Sequence, residues 1–245
     1  MSESTYPRPT SLEQVTAADL ANLSPGHGLD LNRVGDFLDY GGQYKVFAYG
    51  ERQVIKFPLS RAETDYRISQ WGHHTPDWDA KYRQMTRDRE RATEIIAEKA
   101  LPLPLLANPV YYGAVLVQDR VQVVSSGFWA GLNPVTAQRY VRQLVALNAT
   151  LWSYGVHEKA QNFTLNNGLD AQGKMAIFDY GEFTTDYEKA IEKVRAGSLE
   201  KSYSYRCLPP TLQSYYSSLI AKELRVENLQ DMWNERTVAV PNAPV

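Results

Sequence analysis

The sequence predicts an α+β fold in two lobes, on three observations. From Val34 to Val124 short β-rich runs surround a single long charged helix. From Ser126 onward the texture is helical, with one small hairpin, and the change falls at Ser125-Ser126-Gly127. The 245 residues, 43% of them hydrophobic, suffice for two lobes without a disulfide or metal staple. The expected organisation is an extension with a short helix over 1–30, a sheet-bearing lobe over 31–125, a helical lobe over 126–236 and a loose tail over 237–245.

Each element has its own warrant. Leu12, Val15 and Leu23 predict an amphipathic helix over 11–23, capped by Ser11 and stopped by Ser24, Pro25, Gly26 and Gly28. Val34, Phe37 and Leu38 lead into a turn at Asp39-Tyr40-Gly41-Gly42. Tyr44 to Tyr49 and Gln53 to Phe57 flank Gly50-Glu51 as a hairpin, and Pro58 closes it. Residues 60–78 read as polar and irregular. A helix over Asp79 to Ala100 shows Ala92, Ile95, Ile96 and Ala100 on its apolar side, and Pro102 and Pro104 end it. Strands follow over Val110 to Val117 and Val121 to Val124, joined by Gln118-Asp119-Arg120.

Asn133-Pro134 starts the next helix with a cap and a proline at its first position. Tyr140, Leu144, Leu147 and Leu151 form its apolar stripe, and Gly155 terminates it. Phe163 to Leu165 and Met175 to Phe178 read as a hairpin around Asn166-Asn167-Gly168. Helices are expected near Thr185–Ala196, Thr211–Leu224 and Glu227–Arg236, with Tyr215, Tyr216 and Trp233 in the core.

Composition narrows the function. A net charge of −2 argues against a dedicated nucleic-acid partner. No window approaches 18 consecutive apolar residues, so no membrane span is expected, and residues 1–10 lack a signal-peptide core. One cysteine, Cys207, excludes an internal disulfide framework and fits a reducing, cytoplasmic setting.

Three clusters carry chemistry. The first is Gly41-Gly42 followed by Val54-Ile55-Lys56-Phe57. Lys56 alone reads either as a solvated edge lysine or as an ammonium holding phosphate, with the glycines letting the backbone approach a ligand. The second is His157-Glu158-Lys159-Ala160-Gln161-Asn162. The third is Ile177-Phe178-Asp179-Tyr180-Gly181, where Asp179 is either a turn residue or a hard oxygen ligand for Mg²⁺. Asn162 lies 17 residues before Asp179, a spacing that lets amide and carboxylate converge on one metal. His73-His74-Thr75-Pro76-Asp77 offers a weaker metal pattern. Ser198 to Tyr205, between Arg195 and Arg206, reads as a modifiable segment or an ordinary connection.

In this order the clusters resemble the protein-kinase-like fold, which includes aminoglycoside- and choline-type phosphotransferases. Leu38 to Val46 resembles a degenerate glycine-rich loop, and Val54-Ile55-Lys56 the V-A-I-K lysine. His157 to Asn162 resembles the catalytic loop H-R-D-x-x-x-x-N, and Asp179-Tyr180-Gly181 resembles D-F-G. The resemblance implies a bilobal fold, with a small antiparallel-sheet lobe carrying one long helix and a mostly helical lobe. It implies an ATP- and Mg²⁺-dependent phosphotransferase acting on a hydroxyl of a protein or small molecule, or a nucleotide-binding pseudokinase.

By that resemblance Lys56 contacts phosphates and pairs with a glutamate of the long helix. Glu90, Glu94 and Glu98 share a stripe there, and Glu94 is the expected partner; otherwise the stripe is a solvated face with Arg87 and Arg91 as partners. Asp179 binds Mg²⁺, Asn162 binds the metal or orients the loop, and Ser125 to Phe128, including Gly127, forms a hinge that reads adenine. The chain departs from the pattern at Asp39 and Tyr44, which replace the outer loop glycines. His157 to Asn162 spans five positions rather than seven, with no aspartate, so the base position falls on Glu158 or Lys159.

Overall fold

The computed structural model describes residues 8–70 and 77–238. The His73-His74 pattern and most of the expected loose tail lie outside them. The chain divides into two compact units, one of residues up to Glu90 with Asn108–Arg120, the other of Arg91–Ala107 with Val121 onward. The fold is α+β: an antiparallel sheet lies in the N-terminal part and the C-terminal part is mostly helical.

The first unit begins with α1 (Ala17–Leu20), capped by Thr16 in a reciprocal box with Asp19. This is far shorter than the helix expected over 11–23, because the chain before Thr16 spends its polar groups elsewhere. The Ser11 hydroxyl donates to Glu63 at 2.9 Å, and the Ser11 and Gln14 carbonyls both accept from Lys45 Nζ at 3.2 Å. The sheet follows as β1 (Val34–Tyr40), β2 (Tyr44–Tyr49) and β3 (Gln53–Pro58). Next come α2 (Arg61–Gln70), where an irregular segment was expected, and α3 (Trp78–Glu98), which the division between units crosses. Two further strands, β4 (Val110–Tyr112) and β5 (Val115–Asp119), complete the order β1-β2-β3-β5-β4.

Alternation decides which face of this sheet is core. Phe47, Tyr49, Ile55, Phe57, Val115 and Val117 lie on one face, with Leu29, Val15 and Leu23 of the extension packed against them. The register Val46–Lys56–Leu116 and Val54–Gln118 puts these residues on the opposite face. The strand expected over Val110 to Val117 is broken at Gly113, whose φ is +72°. A Cβ there would come within 2.5 Å of the Asn22 carbonyl oxygen, so close approach of the extension demands glycine.

In the second unit, β6 (Gln122–Val123) precedes α4 (Ser126–Ala130) and α5 (Pro134–Ser153). Asn133 caps α5 as expected, and Tyr140, Leu144, Leu147 and Leu151 are all buried. Then follow β7 (His157–Glu158), α6 (Phe163–Asn166), β8 (Asn167–Leu169), β9 (Met175–Ile177) and β10 (Phe183–Thr184). The helices α7 (Tyr187–Arg195), α8 (Ser198–Lys201), α9 (Tyr203–Arg206), α10 (Pro210–Glu223) and α11 (Val226–Val238) end the described chain. Of the three aromatics expected in the core, Tyr216 is buried, whereas Tyr215 and Trp233 are half-buried.

Two differences here bear on the site. The segment expected to form a strand at Phe163–Leu165 is helical. The Leu165 and Asn166 amides both donate to the Asn162 carbonyl at 2.8 Å, and the Thr164 amide donates to Ser204 Oγ at 3.0 Å. The hairpin turn therefore shifts from Asn166-Asn167-Gly168 to Asp170–Gly173, where Asp170 Oδ1 accepts from the Gln172 and Lys174 amides at 2.8 Å. Gly168 instead lies within β8 against β6. A Cβ at that position would stand 2.5 Å from Val121 Cγ2 and 2.9 Å from the Gln122 carbonyl. The strand expected over Val121–Val124 is thus the edge of a β6-β8-β9 sheet.

Candidate functional site

In the first unit Gly41 and Gly42 form the turn between β1 and β2, closed by the Gly41 amide donating to the Tyr44 carbonyl at 2.8 Å. Helix α2 grips the strand end before this turn: Tyr66 stacks on Tyr40, and the Arg67 guanidinium lies 4.4 Å from the Tyr40 ring centroid. Lys56 is only 6% exposed on a central strand, which rules out the solvated-edge reading. Its Nζ lies 5.9 Å from the centroid of the Tyr44 ring, the residue just beyond the glycine turn.

A second lysine, Lys45, is wholly buried on the opposite face of the sheet. Its Nζ reaches Asp19 at 2.7 Å and Glu63 at 2.9 Å, with all three side chains at most 4% exposed. Burial alone would raise the Glu63 pKa. The hydrogen bonds from Lys45, Ser60 and Ser11 outweigh it and hold that carboxyl below its ordinary value. Sequence reasoning missed this cluster, since nothing in Lys45-Val46-Phe47 distinguishes an inward lysine from a solvated one.

In the second unit the chemistry gathers around β7. Glu158 pairs with Phe183 across the β7–β10 ladder, which continues as the Lys159 amide donates to the Glu182 carbonyl at 3.0 Å. The Glu158 side chain is 6% exposed, and its Oε1 accepts from Asn166 Nδ2 at 2.7 Å. The Asn166 carbonyl in turn accepts from the Phe178 amide at 2.8 Å and the Asp179 amide at 3.3 Å. Glu158, Asn166 and Asp179 are therefore brought together by α6 and the hairpin that follows it. Burial, reinforced by the charges of Glu182 and Asp179, pushes the Glu158 pKa up to about 7, against hydrogen bonds from Asn166 and the Gln161 backbone.

His157, adjacent to Glu158, is buried and accepts from Trp152 Nε1 at its Nδ1, 3.1 Å away. Burial, with the Lys193 charge, lowers its pKa to about 4, so it is a neutral structural imidazole at physiological pH. Asn162 is the N-cap of α6 and its side chain makes no capping hydrogen bond. Asn166, which the sequence reading placed in a turn, is the asparagine in contact with Glu158. Its signal was present as the residue just before the β8–β9 hairpin that leads to Asp179.

The remaining expected residues take other places. Glu94 is exposed and bonded to Arg91 at 2.9 Å, with Glu98 3.1 Å from the same guanidinium, a solvated stripe of the helix. Ser125 caps α4 by accepting from the Phe128 amide, and Gly127 lies inside that helix rather than in an extended hinge. The Val124 amide donates to the Asn167 carbonyl at 3.2 Å, and its carbonyl accepts from Trp129 Nε1 at 2.9 Å. The β6–β8 register then directs the Val123 peptide groups away from β8. No group of three or more His, Cys, Asp or Glu suited to a metal occurs among the described residues. No helix among them is long and apolar enough to cross a membrane.

No protein-family model and no curated protein matches this sequence. Solved structures do. The bifunctional kinase-methyltransferase WbdD is 15% identical, with 88% of this chain and 50% of that chain covered at a TM-score of 0.45. The ADP-bound aminoglycoside phosphotransferase APH(2'')-Ib is 9% identical, with 89% and 97% covered at 0.45. Rv3197 from Mycobacterium tuberculosis, in complex with erythromycin, is 14% identical, with 94% and 72% covered at 0.41. The chain spans about half the length of the WbdD chains it matches.

Proposed function

We propose that the chain is an ATP- and Mg²⁺-dependent phosphotransferase that moves the γ-phosphate to a hydroxyl of a protein or small molecule, with Glu158 as the proton acceptor. The observation that carries this reading is the buried Glu158 carboxylate, poised near neutrality and bonded to Asn166, whose carbonyl holds the start of Asp179. A base with a pKa near the working pH is the most effective. Lys159, the other residue at this position of the loop, is left to neutralise phosphate charge.

The residues fit a magnesium site of the phosphate-sharing kind. Such an ion needs only one or two protein oxygens, since waters and substrate phosphates complete its shell. Asp179 would supply a carboxylate. Asn166 would supply its amide oxygen, because its nitrogen is committed to Glu158. Asn162, the residue expected in this role, remains a second amide for the loop. When bound, the ion would neutralise charge building on the transferred group. Lys56, buried beside Tyr44, would hold the phosphates, with Gly41 and Gly42 letting the turn backbone approach them. Val46, Val54 and Leu116, on the Lys56 face of the sheet, would cover the base. Ser125 and Gly127 would then contribute by shaping the start of α4, and Glu94 has no part.

The test is label transfer from γ-labelled ATP with Mg²⁺ to the protein itself and to pooled hydroxyl acceptors. Asp179→Ala and Lys56→Met should abolish it, and Glu158→Gln should slow it by about 10²–10⁴-fold. Label transfer that survives all three changes would overturn these assignments. The loop's lack of an aspartate favours a second reading, a nucleotide-binding pseudokinase. It predicts that ATP at ~100 times its Kd adds ~2.7 kcal/mol of stability without any transfer.

A further inference from the structure

Gln161 has the features of a residue held in place for a purpose. It is 4% exposed and has a φ of +53°, a left-handed backbone that is uncommon outside glycine and costs energy for a side chain of this size. Its backbone amide faces the Glu158 carboxyl and helps hold that group's pKa down, as does the hydrogen bond from Asn166 Nδ2. A right-handed residue at 161 would turn this amide to a different direction. Something must therefore hold the residue in its strained conformation.

The constraint comes from a proton argument. An indole nitrogen can only donate, so the 3.1 Å contact from Trp152 Nε1 makes His157 Nδ1 an acceptor. The neutral ring then carries its proton on Nε2. The Gln161 amide nitrogen lies 3.4 Å from that Nε2, donor against donor, while Gln161 Oε1 is buried and has no partner. Turning the carboxamide over, a change of orientation that keeps its shape, gives the Nε2 proton an acceptor.

We propose that Gln161 is the positioning residue of Glu158: its side-chain oxygen accepts from Nε2 of His157, and this bond fixes the left-handed backbone that aims the residue 161 amide at the Glu158 carboxylate. The series Trp152, His157, Gln161, Glu158 thus ties the long helix α5 to the reactive carboxyl. The proposal rests on the reading of Glu158 as proton acceptor for its functional meaning, but its geometry stands apart from that reading.

The experiment follows the full-length chain by nitrogen-15 and proton NMR, beside label transfer. In the wild type the His157 ring should show a protonated Nε2 and a bare Nδ1, and the residue 161 amide proton should sit downfield, as expected for a bond to a carboxylate. Gln161→Leu, which keeps the size but removes the acceptor, should move that amide upfield. It should also lower kcat about tenfold or more with nucleotide KM within twofold. Gln161→Glu, which restores an acceptor, should bring the downfield amide back and serves as the control should the leucine variant fold poorly. A proton on Nδ1, or an amide shift unmoved by Gln161→Leu, would overturn the proposal. If the NMR signatures hold but the wild type transfers no label, the positioning stands and the phosphotransferase reading falls.

Discussion

Replacing Glu158 by glutamine should make the protein more stable at neutral pH while disabling it. The folded carboxyl titrates near pH 7 instead of its ordinary 4.5 because burial penalises its charge. A group whose folded pKa is raised contributes stability below its unfolded value, and that contribution is lost as pH rises through the folded value. Between pH 4.5 and 7 the loss reaches ~3 kcal/mol, at ~1.4 kcal/mol per pH unit. His157 runs the other way. Its folded pKa, about 4, lies below the ordinary 6.5, so stability is full above pH 6.5 and is lost as pH falls toward 4. The two slopes oppose one another between pH 4.5 and 6.5, and these neighbours hide each other's titration.

Glutamine at 158 keeps the shape and the bond from Asn166 but cannot ionise, so it exposes the histidine slope alone. Denaturant titrations in chelator at pH 4.5, 5.5, 6.5 and 7.5, followed by tryptophan fluorescence, give the test. The variant should match the wild type at pH 4.5 and exceed it by ~2–3 kcal/mol at pH 7.5. A variant no more stable at pH 7.5 than the wild type would refute the claim that Glu158 is a desolvated carboxyl. Stabilisation with loss of activity is the usual mark of a residue kept for function.

Three further outcomes follow from named contacts. Asn166→Ala removes a hydrogen bond that lowers the Glu158 pKa, so carbon-13 NMR titration of that carboxyl should place it higher than in the wild type. Gly168→Ala drives a methyl group into Val121 and the Gln122 carbonyl, and should cost ~1–3 kcal/mol in denaturant titration. Lys45→Met leaves Asp19 and Glu63 facing one another without a cation and should cost ~3–5 kcal/mol. An unchanged unfolding midpoint in either of the last two variants would contradict the corresponding packing.

Much of the fold was legible because local pattern and tertiary packing agree. The α5 stripe from Tyr140 to Leu151 and the β2–β3 hairpin each follow a single period that the core then uses. What was illegible turned on long-range partners. Ser11 reads as a helix cap, but its hydroxyl and carbonyl go to Glu63 and Lys45, residues far along the chain. Asn167-Gly168 is the strongest turn signal in its region, yet β6 lies so close to Gly168 that the dipeptide is needed within a strand. That displacement hid Asn166. For Lys56 and Lys45 sequence supplies the charge but not its direction, and only strand order reveals that both are buried.

The Asp19–Lys45–Glu63 cluster has a bearing on how this chain can diverge. Any one of the three positions is locked by the other two, so drift through single changes crosses a deep valley, whereas simultaneous exchange for three apolar residues of similar bulk is close to neutral. In an aligned set of descendants, positions 19, 45 and 63 should therefore covary as a block, charged in some lineages and oily in others.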